Sequence, residues 1–173
     1  MATKNEARSR KKDKLTAERA RELLNYNPVT GEFTWKVDKH PRGVAGAIAG
    51  HLDHNGYIVI GIDGRIYKAH RLAFLLMQGE WPTNHVDHKV GIRHDNRWEQ
   101  IRPATRLQNC VNARIAKSNT SGVKGVHWHV HKWQARITIN GKRVSLGHFA
   151  SKEEAAAAYQ KAAKIYYGDF ARF

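Results

Sequence analysis

The sequence is poor in cysteine, in acidic residues and in long apolar runs. It has one cysteine, Cys110, among 173 residues, which excludes a disulfide framework and any cysteine-ligated zinc site. We expect Cys110 to be a small buried side chain and expect no structural zinc. The longest apolar runs, such as Leu72 to Met77, are far too short to span a bilayer. The charged N-terminus is followed by no apolar stretch and is not expected to be a signal peptide.

Positive charge is what the sequence has in excess. Thirty Lys and Arg against fifteen Asp and Glu give a formal net charge of +15. Such a charge attracts polyanions and fits a nucleic-acid partner, although binding to a ribosome or a membrane surface would also account for it. Because 41% of the residues are hydrophobic, a folded core is feasible. We therefore expect a soluble intracellular protein.

Composition and local signals divide the chain into a tail, two domains and a linker. Residues 1–14 carry six basic and two acidic side chains and are either a disordered tail or an arm that contacts phosphates. Residues 15–117 are predicted as the first domain. Residues 118–122 contain Asn119-Thr120-Ser121-Gly122 and are predicted as a linker. Residues 123–173 are predicted as the second domain.

The pattern predicts an α+β fold in both domains. In the first domain it indicates a helix capped by Thr16, a hairpin around Asp63-Gly64, a helix over 70–78 that ends at Gly79, and a helix from Pro103 to about residue 117. In the second domain it indicates strands over 126–130, 133–139 and 143–148, followed by a helix that begins with a Ser151–Glu154 capping box. The second domain is thus a three-stranded sheet with one helix.

Asp87-His88 is the strongest catalytic candidate. An Asp supplies a hard oxygen ligand, and a neighbouring His can take up a proton near neutral pH, which suits metal-assisted hydrolysis of a phosphodiester. Adjacent side chains on a strand point to opposite faces. The two groups can therefore converge only if the backbone turns there or if their sites lie at different depths.

Several blocks around this pair stand in a specific order: His70-Arg71-Leu72-Ala73, Gly79-Glu80-Trp81-Pro82, Val86-Asp87-His88, Asp95-Asn96-Arg97, Ile101-Arg102, and Ala104-Thr105-Arg106-Leu107-Gln108-Asn109. The run resembles the HNH (His-Asn-His) endonucleases, most closely the phage and intron-borne homing or nicking type. Upstream residues 23–28 and 30–35 resemble the same branch, so the resemblance covers roughly residues 15–112.

The resemblance implies a ββα-metal fold that holds one divalent cation, usually Mg²⁺, with Mn²⁺ as the alternative. It makes His88 the general base that activates water, and Asp87 and Asn109 the metal ligands. The implied substrate is double-stranded DNA, cut to 5′-phosphate and 3′-hydroxyl ends in the cytoplasm of a bacterium or phage-infected cell. Arg97 and Arg102 are expected to contact DNA. No membrane and no obligate protein partner is expected.

One position departs from the family. The middle Asn normally stands in an Asn-Leu-Arg triplet, and the aligned residues here are Gln100-Ile101-Arg102. Gln keeps the amide but moves it one methylene outward. Either Gln100 serves in the place of that Asn, or Asn96 carries part of the role. The departure keeps a second hypothesis open, a DNA-binding regulator with a degenerate, inactive HNH fold.

Residues 119–173 resemble a different family. The blocks are Val123-Lys124-Gly125-Val126, Lys132-Trp133-Gln134-Ala135-Arg136-Ile137, Gly141-Lys142-Arg143, Leu146-Gly147-His148-Phe149 and Glu153-Glu154-Ala155-Ala156. They resemble the Apetala/ethylene-response-factor DNA-binding domain, which packs three strands on one helix and lays the sheet in the major groove. Groove-facing positions by this resemblance are Lys124, His127, His129, Arg136 and Arg143.

The histidines of the first strand of this domain form a pattern of their own. His127, His129 and His131 alternate with period two and are expected to share one strand face. Such a triplet either faces DNA or binds a transition metal. Where the family often has Arg in this strand, this chain has His, so its sequence preference should differ.

Overall fold

The computed structural model describes residues 15–38 and 43–173, so the predicted tail over residues 1–14 lies outside the described residues. The helices in this part are α1 Ala17–Leu23, α2 Ala69–Gln78, α3 Arg106–Asn112 and α4 Lys152–Tyr167. The strands are β1 Leu24–Tyr26, β2 Phe33–Trp35, β3 His51–Leu52, β4 Ile58–Ile62, β5 Arg65–Lys68, β6 His85–His88, β7 Ile101–Ala104, β8 Val126–His129, β9 Lys132–Ile139 and β10 Lys142–Phe149. The strands form four small sheets, β1-β2, β3-β4-β5, β6-β7 and β8-β9-β10. The predicted α+β class is confirmed.

The chain divides into two compact units. One contains the described residues up to Thr83 together with Ile92–Ile101, and the other contains Asn84–Gly91 and Arg102–Phe173. The segment that carries Asp87 and His88 therefore groups with the C-terminal part of the chain. No helix within residues 15–38 and 43–173 is both long enough and apolar enough to cross a membrane.

Local signals explain the elements of the first unit. The Thr16 side chain accepts a hydrogen bond from the Arg19 amide at 3.2 Å and so caps α1, as predicted. Asp63 and Gly64, with φ of 48° and 78°, join β4 and β5 in the tight turn that their sequence predicts. Helix α2 ends at Gly79, which has φ of 83°, also as predicted.

The predicted helix from Pro103 to about residue 117 is wrong at both ends. Pro103 lies in β7, and α3 begins only after Thr105 and ends at Asn112. Thr105 and Gln108 form a capping box, in which each side chain accepts from the other residue's amide at 3.2 and 2.8 Å. The fixed φ of proline suits an extended strand as well as a first helical turn. The Thr105–Gln108 capping box therefore determines where α3 begins.

The C-terminal sheet is antiparallel, with β9 between β8 and β10. Helix α4 packs on one face of it, and their shared core contains Ala135, Ile137, Ala155 and Tyr159. Ser151 and Glu154 form the predicted capping box of α4. The three predicted strands and the helix behind them are confirmed, because alternation and turn chemistry specify them locally.

The stretch predicted as a linker is an ordered, hydrogen-bonded turn. The Ser121 hydroxyl is buried and donates to the carbonyl of Val126 at 2.7 Å. The Asn119 side-chain amide donates to the Val123 carbonyl at 3.1 Å. The division of the chain into domains at residues 118–122 stays a prediction.

Candidate active site and nucleic-acid interface

Asp87 is a buried carboxylate held by two neighbours. It lies on β6 beside His88, and each of the two residues is at most 5% exposed. Its Oδ2 accepts from the Nε of Arg102 on β7 at 3.0 Å, and both of its oxygens accept from the Asn112 side chain of α3 at 3.0 and 2.9 Å. Because a buried carboxylate is costly without such partners, the two strands and the helix fix its position.

Asn112 is a site residue that the sequence analysis missed. Besides contacting Asp87, its Nδ2 lies 2.8 Å from the His88 carbonyl and 3.3 Å from the Lys89 carbonyl. It therefore ties α3 to the point where β6 ends. The partners are 23 to 25 residues apart, and nothing local in the sequence marks this contact.

Arg102, expected to contact DNA, is engaged inside the protein. Its side chain is 14% exposed, and besides pairing with Asp87 it donates from Nη1 to the Asp169 carbonyl at 3.2 Å. Its guanidinium carbon lies 3.6 Å from the centre of the Phe170 ring. A DNA contact by Arg102 stays a prediction.

Asp87 and Asn109 carry oxygen atoms of the kind that ligate a hard divalent cation. Arg102 Nε and Asn112 Nδ2 approach the Asp87 carboxylate, which has roughly four lone-pair directions. Asn109 lies one turn before Asn112 on α3, hence on the same side of that helix. Carboxylate and amide oxygens are the ligands that Mg²⁺ and Mn²⁺ accept. No cluster of three or more His, Cys, Asp or Glu among the described residues is placed to hold a metal.

The chain turns directly after His88. The His88 carbonyl accepts from the amide of Gly91 at 2.8 Å, and Gly91 has φ of 66°. Residues 88–91 thus form a four-residue turn. The turn places the end of β6, with its Asp-His pair, at a bend and not in the middle of a long strand.

Asn96 and Gln100 lie in the other unit. Asn96 is buried, its side chain donates to the His94 carbonyl at 3.1 Å, and its own carbonyl accepts from the Tyr26 hydroxyl at 2.7 Å. Gln100 ends a 3₁₀ turn over Trp98–Gln100. Asn96 is a bracing residue of its own loop, and a role of either amide toward His88 stays a prediction.

Arg97 also belongs to that unit and is paired within it. Its guanidinium donates to both Asp95 oxygens at 2.9 and 2.7 Å. The Asp95 hydrogen bonds raise the pKa of Arg97. If Arg97 contacts a phosphate, its guanidinium must bind the phosphate and Asp95 at the same time.

The C-terminal sheet has a basic face opposite α4. Ala135 and Ile137 of β9 point into the core, so their neighbours in the strand point the other way. Strand register places residues of β8 and β10 beside them. This basic sheet face consists of His127, His129, Lys132, Gln134, Arg136, Thr138, Arg143, Ser145 and His148. It contains three Lys or Arg and three His side chains and no acid, which suits a polyanion.

Two of the predicted DNA-reading arginines line a common depression on this face. His127, Arg136 and Arg143 border a cavity of about 360 Å³. The guanidinium of Arg136 is oriented by the side-chain oxygen of Gln134, to which its Nε donates at 2.8 Å. Burial, then the charge of Arg136, lowers the pKa of His127, so this ring is predominantly neutral at pH 7.

The prediction that three histidines share one face of β8 is wrong for His131. His131 lies outside the strand, in the turn before β9, with φ of 62°. The third imidazole of the face is His148 of β10, whose ring centre lies 6.0 Å from that of His129. The backbone reverses at residues 130–131, which ends the period-two pattern.

Two further side chains lie in environments that differ from those predicted from the sequence. Lys124, predicted to face the groove, donates to the Val111 carbonyl at 2.8 Å. Burial, then the charge of Arg172, lowers the pKa of Lys124, and its contact with DNA stays a prediction. Cys110, expected to be buried, is exposed, because Asn112 and not Cys110 occupies the buried side of the short α3.

Comparison with known proteins assigns the region around Asp87 to a family. A model of the HNH endonuclease family matches residues 67–111. Protein 3.8 of Escherichia phage T7 is 31% identical over 93 residues, 51% of this chain and 74% of that protein. An uncharacterized HNH endonuclease of Acanthamoeba polyphaga mimivirus is 28% identical over 151 residues, 86% of this chain and 77% of that protein. An ethylene-responsive transcription factor-like protein of Arabidopsis thaliana is 32% identical over 72 residues, 42% of this chain and 32% of that protein.

The matched region contains the paired strands β6 and β7, the buried Asp87-His88 pair and most of α3. The chain belongs to the HNH endonuclease family and is a DNA-cleaving hydrolase.

Proposed function

We propose that this protein is a metal-dependent, site-selective DNA endonuclease of the homing or nicking type. The observation that carries the proposal is the buried Asp87 carboxylate, which Arg102 and Asn112 hold beside His88 at the end of β6. Its products are DNA ends with a 5′-phosphate and a 3′-hydroxyl. Its substrate is double-stranded DNA, which the net charge of +15 attracts.

In this mechanism His88 takes the proton from the attacking water as general base. Asp87 and Asn109 would hold the divalent cation, Mg²⁺ or Mn²⁺, through oxygen atoms. Bound there, such a cation would supply polarisation of the phosphoryl oxygen and charge stabilisation for the departing 3′-oxygen. Arg102 and Asn112 keep Asp87 directed toward that ligand position. Gln100, with Asn96, takes the place of the family's middle Asn and braces the loop, and Arg97 contacts a phosphate.

The C-terminal domain selects the site in this proposal. Its three strands and single helix, and the partial similarity to a plant ethylene-responsive factor, support the assignment to that type of DNA-binding domain. The basic sheet face lies in the major groove, where Arg136 and Arg143 suit guanine O6 and N7. His127 and His129 donate to bases or phosphates, and Lys124 contacts the backbone beside them.

The products provide the first test. Purified protein is incubated with supercoiled plasmid and with phage genomic DNA in Mg²⁺, and the cut sites are mapped by sequencing. Nicks with a 5′-phosphate and a 3′-hydroxyl are resealed by DNA ligase, so ligase should restore closed circles. Recurrent cut positions support site selection, while random positions contradict it. Intact DNA together with tight binding would instead support the regulator with an inactive HNH fold.

A further inference from the structure

Residues 168–172, here called the 168–172 segment, contact the surroundings of Asp87 at two points. Asp169 and Phe170 contact Arg102, through the backbone carbonyl and through the ring respectively. Arg172 lies against Gly91 in the turn that follows His88, so closely that a Cβ at Gly91 would collide with its guanidinium. The segment follows α4, and so it connects the C-terminal sheet domain to the Asp-His pair.

We propose that the 168–172 segment is a positioning element for the nuclease site, acting through Arg102 on Asp87. Phe170 and the Asp169 carbonyl hold the guanidinium in place, and the guanidinium in turn sets the direction of the Asp87 carboxylate. The inference rests on the proposed metal-dependent cleavage, because it concerns the orientation of a metal ligand. It gives the C-terminal domain a second role besides contact with DNA.

The geometry of Arg102 explains why the segment matters. An arginine has a planar, rigid group of donors and can stack on an aromatic ring. The Nε of Arg102 donates to Asp87 and its Nη1 donates to the Asp169 carbonyl. The flat face of the guanidinium contacts the Phe170 ring, whose centre lies 3.6 Å from the guanidinium carbon. Removal of the ring frees one face of the guanidinium and gives its long side chain other rotamers. The Asp87 contact would then be only intermittently formed.

The orientation of Asp87 determines how it can bind a cation. Arg102 Nε and Asn112 Nδ2 both contact the carboxylate, which has roughly four lone-pair directions. The direction that stays open to a cation is defined only while both donors stay in place. Misplacement of a catalytic group by about 1 Å can cost roughly a hundredfold in rate, so a loosened Arg102 should reduce metal binding and cleavage together.

The test compares Phe170→Ala with a matched control, Phe173→Ala, in the full chain. Phe173 is 47% exposed and lies three residues from Phe170. For Phe170→Ala we expect the Mg²⁺ concentration for half-maximal cleavage to rise about three- to thirtyfold, the range of cation–π contacts from exposed to desolvated. Mn²⁺ binding, measured by electron paramagnetic resonance without DNA, should weaken by a similar factor. DNA affinity in EDTA should stay unchanged, and Phe173→Ala should match the wild type.

A second variant separates positioning from loss of structure. Phe170→Tyr keeps the ring and should restore the Mg²⁺ and Mn²⁺ values, whereas a role in folding alone would show as a lower melting temperature with unchanged metal binding. Wild-type values for Phe170→Ala in both titrations would overturn the inference, as would faster cleavage or an equal loss of DNA binding. Absence of cleavage by the wild type would contradict the proposed function instead.

Discussion

The polar side chains of the nuclease motif, here Asp87, His88 and Asn112, differ in burial and in partners from those of the basic sheet face. Asp87, His88 and Asn112 are each at most 5% exposed, and Asn112 donates to both oxygens of Asp87 and to the His88 carbonyl. On the sheet face, Arg143 and His129 are exposed. The polar groups of the nuclease motif thus form hydrogen bonds with one another, whereas Arg143 and His129 of the basic sheet face are open to solvent.

The contrast fits two different tasks. Buried polar groups must be hydrogen-bonded, and the bonds that satisfy them also fix their geometry, which a reaction at a single phosphate requires. Exposed cations keep their hydration and can exchange it for phosphates or base edges. We therefore expect substitutions in the nuclease motif to alter DNA cleavage and substitutions in the basic sheet face to alter DNA binding.

The largest expected effect follows from removal of the proposed base. His88→Ala should lower the single-turnover cleavage rate on a labelled duplex by about 10²–10⁴-fold, the usual contribution of a positioned general base. DNA affinity, measured in EDTA, should stay close to that of the wild type. A loss of binding in proportion to the loss of cleavage would make His88 a structural residue.

Asn112→Ala should affect both stability and cleavage. It removes one buried donor from the Asp87 carboxylate, which keeps Arg102, and from the His88 carbonyl, which keeps the Gly91 amide. The loss of these buried hydrogen bonds should lower the free energy of unfolding by about 1–3 kcal/mol. Urea denaturation measures that loss, and cleavage should fall as well. Gln160→Ala on the exposed side of α4 removes an amide of similar size and serves as control. Equal stability of the two variants would contradict the assigned role of Asn112.

Arg143→Ala should weaken binding at a preferred site by about 1–3 kcal/mol if the side chain reads a base. Arg136→Ala should behave alike, since both arginines border the same depression. Competition binding against unrelated duplexes provides the measurement, with Lys161→Ala on α4 as the matched loss of an exposed cation. An equal loss on every sequence would identify a phosphate contact instead.

The smallest expected effect is a pH dependence of DNA binding. Burial and the charge of Arg136 lower the pKa of His127, so this ring gains its proton only at a pH below the usual range of a histidine. The protonated ring attracts DNA, and affinity should therefore rise from pH 8 toward pH 5.5. His127→Gln should flatten part of this rise, and His131→Gln, a change in the neighbouring turn, should not. A rise that is identical in both variants would exclude His127.

Elements specified by adjacent residues could be predicted from the sequence. The Asp63-Gly64 turn, the Thr16 cap and the Ser151–Glu154 capping box each depend on contacts within four residues, and all three were predicted correctly. The start of α3 was missed although a signal existed. Thr105 and Gln108 have the spacing of a capping box and outweigh the preference of Pro103 for a first turn.

The contacts around Asp87 could not be predicted in the same way. Arg102 and Asn112 are 15 and 25 residues from Asp87, and Asp169 is 67 residues from Arg102. These pairs depend on how strands and helix pack, and no local pattern encodes that. The family resemblance pointed to Asp87 and His88 but gave no indication of the residues that support them.

The most direct test of the central claim is cleavage of supercoiled plasmid by the full chain in Mg²⁺ and in EDTA. We expect open-circle or linear DNA with Mg²⁺ or Mn²⁺, intact supercoiled DNA with EDTA, and restored cleavage when Mg²⁺ is added back in excess. The ratio of open-circle to linear product distinguishes a nick from a double-strand break. Cleavage that persists in EDTA, or supercoiled DNA that stays intact with every cation while the protein binds it tightly, would contradict a metal-dependent endonuclease.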